Sequence, residues 1–560
     1  MNIWQHIKRG VFYVAMLALL GSCGISKSIK DRPDISSYNS KIPEINKISD
    51  STFILGNNSL RKNKQGQWEL YVSGDPMERG LITGALTEEL FQAQEAIFLS
   101  KVEQMVPSKL KRALLRKFLA WYNRKIHLNI PEEYKAEILG LSRYASDSYN
   151  HIADPYLRVL YLHGAHDIGH ALQDLALVGC SSFAVWGDKT EDGNLIIGRN
   201  FDFYAGDEFA KNKIISFVAP TEGYNFMSVS WGGMIGVVSG MNEHGLTVTI
   251  NAGKSKIPVV AKTPISILTR EILQYATTLE EAIAIAKKRQ VFVSESILIG
   301  SAKDQNAKII EISPHNFGVY EVPNSDQLIC SNHFQSTAYA QDKNNLKHIQ
   351  ESHSFYRYQR IDELLGNQNK ITPTIAVDLL RNKKGINDAN IGLGNEKALN
   401  QLLAHHGVVF KPKDRMVWVS SNPYQLGEFV AYDLKEIFKD SNNQNPRKSL
   451  SSPWKNIEKD SFLYTQTYLD YEKYREYSLQ IQMAITEKNP LSPSFLETFK
   501  KLNPEFWETH YWIGRYYYEK KYYTAAYYAF LVASTKEITT VPQEEKVHSY
   551  IKKTKRKINL

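Results

Sequence analysis

The chain has 560 residues, 43% of them apolar and 23% charged, a balance that excludes a disordered polymer, at a length beyond what one hydrophobic core ordinarily supports. Lys and Arg outnumber Asp and Glu by 68 to 59, and this mild excess, with no basic stripe interleaved with aromatics, excludes a nucleic-acid binder. The basic run Lys552, Lys553, Lys555, Arg556, Lys557 is expected as a solvated tail, its other use being contact with an anionic membrane surface.

Lys8 and Arg9 precede an apolar run from Val11 to Leu20. A bilayer span needs about 20 such residues, so the run is expected to be a secretory leader. The following Leu20-Gly21-Ser22-Cys23 resembles a bacterial lipobox. That resemblance implies a lipoprotein signal peptide over residues 1–22, a lipidated Cys23 carrying chains such as palmitate, and a place on a membrane of the bacterial cell envelope, outside the cytoplasm. Residues 23–50, rich in Ser, Lys, Asp, Asn and Pro, are expected as a tether. With Cys23 lipidated and Cys180 kept as a free thiol, no disulfide framework remains, and Cys330 is expected as a small buried hydrophobe in a strand.

Residues 51–179 read as a helical forepart. A short strand is predicted from Leu60 to Ser73, then helix-period apolar residues run over Leu86–Leu99 and Leu110–Leu128 and continue from Pro131 to Leu162. Next comes His163-Gly164-Ala165-His166-Asp167-Ile168-Gly169-His170, which puts His163, His166 and His170 on one side of a helix, as zinc sites do. A metal-dependent hydrolase is therefore one reading. Against it, Asp167 stands where a zinc protease carries Glu, and two glycines weaken the helix, so no metal is assigned.

Two apolar runs, Cys180-Ser181-Ser182-Phe183-Ala184-Val185 and Leu195-Ile196-Ile197-Gly198-Arg199-Asn200-Phe201-Asp202, flank the turn signal Asp192-Gly193 and predict a β-hairpin. Pairing of the strands would return Arg199 and Asp202 to the start of the first, so a thiol meets a cation and an anion. The Cys-Ser-Ser-Phe that follows Gly179, with the later Arg-Asn-Phe-Asp, resembles the acyltransferase/hydrolase branch of the N-terminal-nucleophile (Ntn) hydrolases typified by isopenicillin-N acyltransferase, with choloylglycine hydrolase and penicillin V acylase as cousins. The resemblance extends from roughly Gly74 to Leu434. It implies a precursor that cuts itself between Gly179 and Cys180, with the forepart kept packed against the catalytic body.

Strands are predicted at Ile214–Ala219, Phe226–Trp231, Ile235–Ser239 and Leu246–Ile250, the last leading to Asn251. Capped helices follow over Thr263–Tyr275 and Thr278–Lys288. The β pattern resumes at Val291–Ile299, Ala307–Ile312, Phe317–Val322 and Gln327–Ser331, arriving at Asn332-His333. Helices are predicted from Ser354 and near Thr374–Leu380 and Glu396–His405, before closing strands at Gly407–Phe410, Met416–Ser420 and Gly427–Leu434. This order fits two antiparallel sheets between helical layers. By the resemblance the class is α+β, a four-layer αββα Ntn-hydrolase sandwich over residues 180–440 with a helical N-terminal pro-segment.

The resemblance also implies roles. Asp202 holds the new α-amine of Cys180, Arg199 lies against the thiol, and the Asn251 backbone N–H and Asn332 side chain form the oxyanion hole. A second arginine comes from the Ser354 helix, with Arg357 preferred to Arg360, and His333 is a wall residue.

Residues 441–460 read as a linker and residues 461–560 as a tyrosine-rich helical extension. With Gly514 as the eighth position of a tetratricopeptide (TPR) repeat, Tyr517, Ala526, Phe530 and Ala533 match later positions, while His510 and Ile538 replace the usual Trp and Pro. A single TPR-like unit is expected to pack on its neighbours, and it is a candidate surface for a protein or envelope partner. The function expected is a self-processing, cofactor-free amidohydrolase or acyltransferase acting on an N-acylated small molecule through a thioester. The alternatives are the metal-dependent hydrolase and a non-catalytic envelope binding lipoprotein.

Overall fold

The computed structural model describes residues 25–172, 179–203, 206–256, 260–439 and 448–558. Numbered in chain order, its strands are β1 (Asn46–Ser49), β2 (Thr52–Leu55), β3 (Asn58–Lys62), β4 (Trp68–Gly74), β5 (Ser181–Val185), β6 (Ile196–Phe201), β7 (Ile214–Pro220), β8 (Phe226–Ser230), β9 (Ser239–Asn242), β10 (Leu246–Ala252), β11 (Glu295–Ser301), β12 (Asn306–Ile312), β13 (Phe317–Tyr320), β14 (Gln327–Cys330), β15 (His406–Lys411), β16 (Met416–Ser420) and β17 (Phe429–Asp433). Among the described residues they form a larger sheet, ordered β1-β2-β3-β4-β7-β8-β9-β10-β11-β12-β13, and a smaller one, ordered β14-β5-β6-β15-β16-β17.

Both faces of the central strands are apolar, because successive strand side chains point to opposite sides and these strands feed two cores. Ile197, Val408 and Val417 of the smaller sheet meet Phe217, Val229, Leu298 and Ile309 of the larger one in the space between the sheets. Their neighbours Ile196, Val409 and Trp418 point the other way, onto Ile361 and Leu365 of the Ser354–Gly366 helix and Val377 of the Pro373–Leu380 helix. Val248, Ile250, Ile297 and Ile299 face outward from the larger sheet onto Leu268, Ile272 and Ile283 of the Ile265–Tyr275 and Leu279–Lys288 helices. The result is helix, sheet, sheet, helix, an αββα sandwich of the α+β class. Cys330 is buried in β14, in the core between the sheets.

The forepart departs from a purely helical segment. Residues 46–74 form β1 to β4, and β4 runs parallel to β7 from Trp68 opposite Ile214 to Gly74 opposite Pro220, so this segment is part of the larger sheet. Its long helix, Pro76–Met105, is capped by Asp75, whose carboxylate accepts the N–H of Glu78 at 2.8 Å. It lies so close to the Glu132–Ser142 helix that a Cβ on Gly80 would stand 2.0 Å from the Glu137 carbonyl oxygen. Glu137 sits between Arg79 at 2.7 Å and Arg270 at 3.0 Å, all three buried, which ties the forepart to the Ile265–Tyr275 helix. Part of the expected tether is also attached: Asp31 pairs with Lys135 at 3.5 Å and Arg32 with Asp154 at 2.9 Å.

Two further expectations are corrected. Residues 235–238 are not strand, since the chain turns at Gly232 and Gly233, which lie on Phe91, and β9 begins only at Ser239. Residues 396–405 are not helix. Leu399 packs under the smaller sheet and Leu402 joins the core of the C-terminal helices, and one regular helix could not serve both.

That C-terminal unit comprises the helices Gln466–Glu487, Pro493–Leu502, Trp507–Glu519, Tyr523–Ser534 and Val541–Lys557. Gly514 lets the third and fourth approach closely, since a Cβ there would lie 2.7 Å from the Phe530 ring. Leu402 and Leu426 of the sandwich share its core with Phe506, Trp507 and Tyr471. No helix among the described residues is long and apolar enough to cross a membrane.

Candidate active site

Cys180 immediately precedes β5, the inner strand of the predicted hairpin, and its side chain is buried. β5 and β6 pair antiparallel with Ser181 opposite Asn200 and Ser182 opposite Arg199, which brings the end of β6 back beside the thiol as the hairpin required. Arg199 places Nη2 3.9 Å from the Cys180 sulfur. Among the described residues its guanidinium makes no ion-pair contact; it donates to the carbonyl of Val238 at 2.9 Å, to the Ser239 hydroxyl and to the carbonyl of Ile250, neutral acceptors that hold it beside the sulfur. Burial pushes the Cys180 thiol up to about 11, against the pull of Arg199 and of the Asp202 backbone N–H.

Asp202 follows β6 and is fully buried, and neither carboxylate oxygen has a hydrogen-bond partner among the described residues. Burial raises its carboxyl to about 8, opposed by Arg357 and Arg199. Its backbone carbonyl accepts the N–H of Gly179 at 3.2 Å.

Arg357, on the Ser354–Gly366 helix, is the other buried cation. It donates to the carbonyl of Cys180 at 2.5 Å, to the Ser181 hydroxyl at 2.8 Å and to Oδ1 of Asn332 at 2.7 Å. Arg360, three residues on, points away and pairs with Glu363 at 2.7 Å and with Asp388. Asn332 follows β14. The Ser354 hydroxyl accepts its backbone N–H at 2.8 Å and its Nδ2 donates to the Ala252 carbonyl at 3.0 Å, so both its ends are fixed. Asn251, on β10, is buried, with its side chain between the Ser182 hydroxyl at 2.9 Å and the Cys330 carbonyl at 3.1 Å. Cys180, Arg199, Asp202, Asn332, Arg357 and Gly179 thus form one bonded cluster, and Asn251 joins it through Ser182.

Three groups in this neighbourhood were not foreseen. Gln401 donates to the Gly179 carbonyl at 2.8 Å. His406 meets the Ser239 hydroxyl at 2.8 Å, behind Arg199. His353 lies 3.2 Å from Nε of Arg357. A cleft of about 460 Å³ opens beyond His353, with Lys254, Lys347 and His348 on one wall and Pro542 and Gln543 of the last helix on the other. A larger cleft of about 680 Å³, near Arg381, Lys383 and Asp460, contains none of these groups, so size alone does not mark the site.

Both ring nitrogens of His163 are engaged, Nδ1 with the Val159 carbonyl at 2.8 Å and Nε2 with the Ile235 N–H at 3.0 Å. Burial lowers it to about 4. Asp167 accepts the Ile265 N–H at 2.8 Å. This end of the cluster joins the forepart to the sandwich; the side chains of His166 and His170 lie outside the described residues, as does Cys23.

Residues 189–422 match the family described as acyl-coenzyme A:6-aminopenicillanic acid acyl-transferase. The matched segment, less than half of the chain, runs from the turn between β5 and β6 to just past β16 of the smaller sheet. An uncharacterised protein of Archaeoglobus fulgidus is 26% identical over 280 residues, which cover 45% of this chain and 45% of that protein, so the chain spans less than half of its relative. Among solved structures, the chain is similar to a Caenorhabditis elegans ortholog of N-acylethanolamine-hydrolyzing acid amidase (17% identity, TM-score 0.31, 42% of this chain and 93% of that one). It is also similar to a conjugated bile acid hydrolase of Clostridium perfringens (15% identity, TM-score 0.32, 50% of this chain and 98% of that one).

Proposed function

We propose that the protein is a self-processing N-terminal-cysteine amidohydrolase or acyltransferase that removes or transfers the acyl group of an N-acylated small molecule. The observation that carries this reading is the buried carboxylate of Asp202, without a hydrogen-bond partner among the described residues, beside the Gly179–Cys180 peptide. A buried carboxylate without a hydrogen-bond donor is costly even with the charges of Arg357 and Arg199 nearby, and an ammonium formed beside it would supply both donors and charge. Cleavage between Gly179 and Cys180 turns the amide nitrogen of Cys180 into an α-amine with a pKa of about 8. That ammonium can pair with Asp202, and as a free amine it can take the proton of its own thiol, so no separate histidine base is needed.

Attack of the thiolate on an amide carbonyl then gives a tetrahedral oxyanion. In this reading the Asn332 side chain and the Asn251 backbone N–H stabilise it, each donor contributing about 3 kcal/mol. Arg199 favours the thiolate over the thiol. The amine leaves, a thioester holds the acyl group on Cys180, and water or a second amine removes it. The scheme calls on no cofactor.

The test is turnover. Purified protein is incubated with N-acyl amino acids, conjugated bile salts, penicillin V and N-acyl-homoserine lactones, and free acid is read by mass spectrometry. Release by the wild type but not by Cys180→Ala is the expected result; amide hydrolysis that survives Cys180→Ala would exclude the cysteine mechanism.

The same reading includes a lipid anchor at Cys23 that holds the protein on the bacterial cell envelope. Wild-type protein is expected in the detergent phase and Cys23→Ala in the aqueous phase or unprocessed. Unlipidated wild type in the aqueous phase would remove the anchor.

A further inference from the structure

The carbonyl oxygen of Gly179 receives a 2.8 Å hydrogen bond from Nε2 of Gln401, a buried residue 222 positions downstream. On one side of that peptide the Gly179 N–H is held by the Asp202 carbonyl at 3.2 Å, and on the other the Cys180 carbonyl is held by Arg357 at 2.5 Å. A Cβ on Gly179 would stand 2.1 Å from the same Nε2, so the missing side chain is what lets the donor reach the carbonyl. Asn332, by contrast, spends an N–H on Ala252 at 3.0 Å. The carbonyl proposed to be cut therefore has a donor of its own.

We infer that Gln401 is a catalytic residue of self-cleavage, the oxyanion donor for the Gly179 carbonyl. This rests on the self-processing reading. Sγ of Cys180 bonds to the carbonyl carbon of Gly179, and the oxygen becomes an oxyanion held by Nε2–H of Gln401. The C–N bond to Cys180 then breaks, and the proton that left the thiol ends on the departing nitrogen. Water adds to the resulting thioester, the C–S bond breaks, and Gly179 leaves as a carboxylate while Cys180 keeps a free thiol and its new amine takes the released proton. A preorganised donor aimed at the developing charge accelerates the first of these steps.

The C-terminal helices keep Gln401 in place. The loop before it docks on them through Asn395, whose Nδ2 donates to the Glu537 carbonyl at 2.9 Å. Gly392, at φ +79°, lies where a Cβ would be 2.4 Å from Phe506 Cα. Leu402, next to Gln401, is in their core.

The experiment follows cleavage of the full chain after pulse-labelled cell-free synthesis. Gln401→Glu keeps the shape and removes the donor, and Gln401→Met removes it without adding charge. Both are expected to slow cleavage on the order of a hundredfold. Gly179→Ala should be slow as well, because the methyl displaces the amide. In a Gln401→Ala background it should add no further slowing, since the clash is its only harm. Wild-type cleavage rates in either Gln401 variant, with its melting transition matching that of Cys180→Ala, overturn the inference. A wild type never cut at this bond sinks the self-processing reading itself, which is a different outcome.

Discussion

The backbone carbonyl of Asp202 holds the N–H of Gly179 at 3.2 Å while both oxygens of its own carboxylate, in the same buried space, receive no hydrogen bond from the described residues. Asp202 is thereby fixed against the bond proposed to be cut, and the uncut chain bears the cost of its burial. Relief of that cost favours the cleaved state.

A pH dependence follows. The Asp202 carboxyl stands at about 8 in the folded uncut chain against 3.8 when unfolded, so between those values the folded state holds a proton that the unfolded state has lost. Its contribution to stability is complete below the lower value and disappears as pH rises through the upper one. Uncut Cys180→Ala protein should therefore melt at a lower temperature at pH 8 than at pH 5, and adding Asp202→Asn should remove much of that difference. An unchanged pH dependence in the double variant would show that the carboxylate already has a partner.

Asn332 offers a separation of charge positioning from oxyanion stabilisation. Asn332→Asp keeps an acceptor for Nη2 of Arg357, now at 2.7 Å, but loses the amide donor. It should fold and lose turnover on the order of a hundredfold. Asn332→Ala additionally leaves the buried guanidinium short of an acceptor and should cost about 1–3 kcal/mol of stability. Turnover of Asn332→Asp within twofold of wild type would take the residue out of the oxyanion hole.

A chain ending at residue 439 should be insoluble or uncut. Leu402 and Leu426 would be exposed, and the loop that carries Gln401 would lose Phe506, Trp507 and Glu537. Chaperone-free recovery of a soluble, correctly cut short chain would show that the sandwich is independent of the helices behind it.

Much of the sandwich was legible because its strands are short, apolar and punctuated. The hairpin from Cys180 to Asp202 announced itself through Asp192-Gly193, and its register alone brought Arg199 to the thiol. Arg357 came from a family pattern; it bonds the Cys180 carbonyl, whereas Arg360 turns to Glu363 and Asp388. Gln401 was hidden for a physical reason. The apolar spacing of Ala398, Leu399 and Leu402 imitates a helix, whereas Leu399 and Leu402 enter separate cores, and a partner 222 residues away leaves no local signal. β1 and β2 were missed because they lie at or next to the sheet edge with few buried residues, and β1 has none, while the one strand read from Leu60 to Ser73 is in fact two, β3 and β4.

The central claim is that Cys180 becomes a chain terminus, and N-terminal sequencing with intact mass of the purified wild type tests it most directly. The account predicts two chains that co-purify, because β4 pairs with β7 and Arg79 and Arg270 share Glu137. The larger begins Cys-Ser-Ser-Phe-Ala-Val and spans residues 180–560, and Cys180→Ala gives one uncut, inactive polypeptide. An active wild-type enzyme that remains a single intact chain would contradict it.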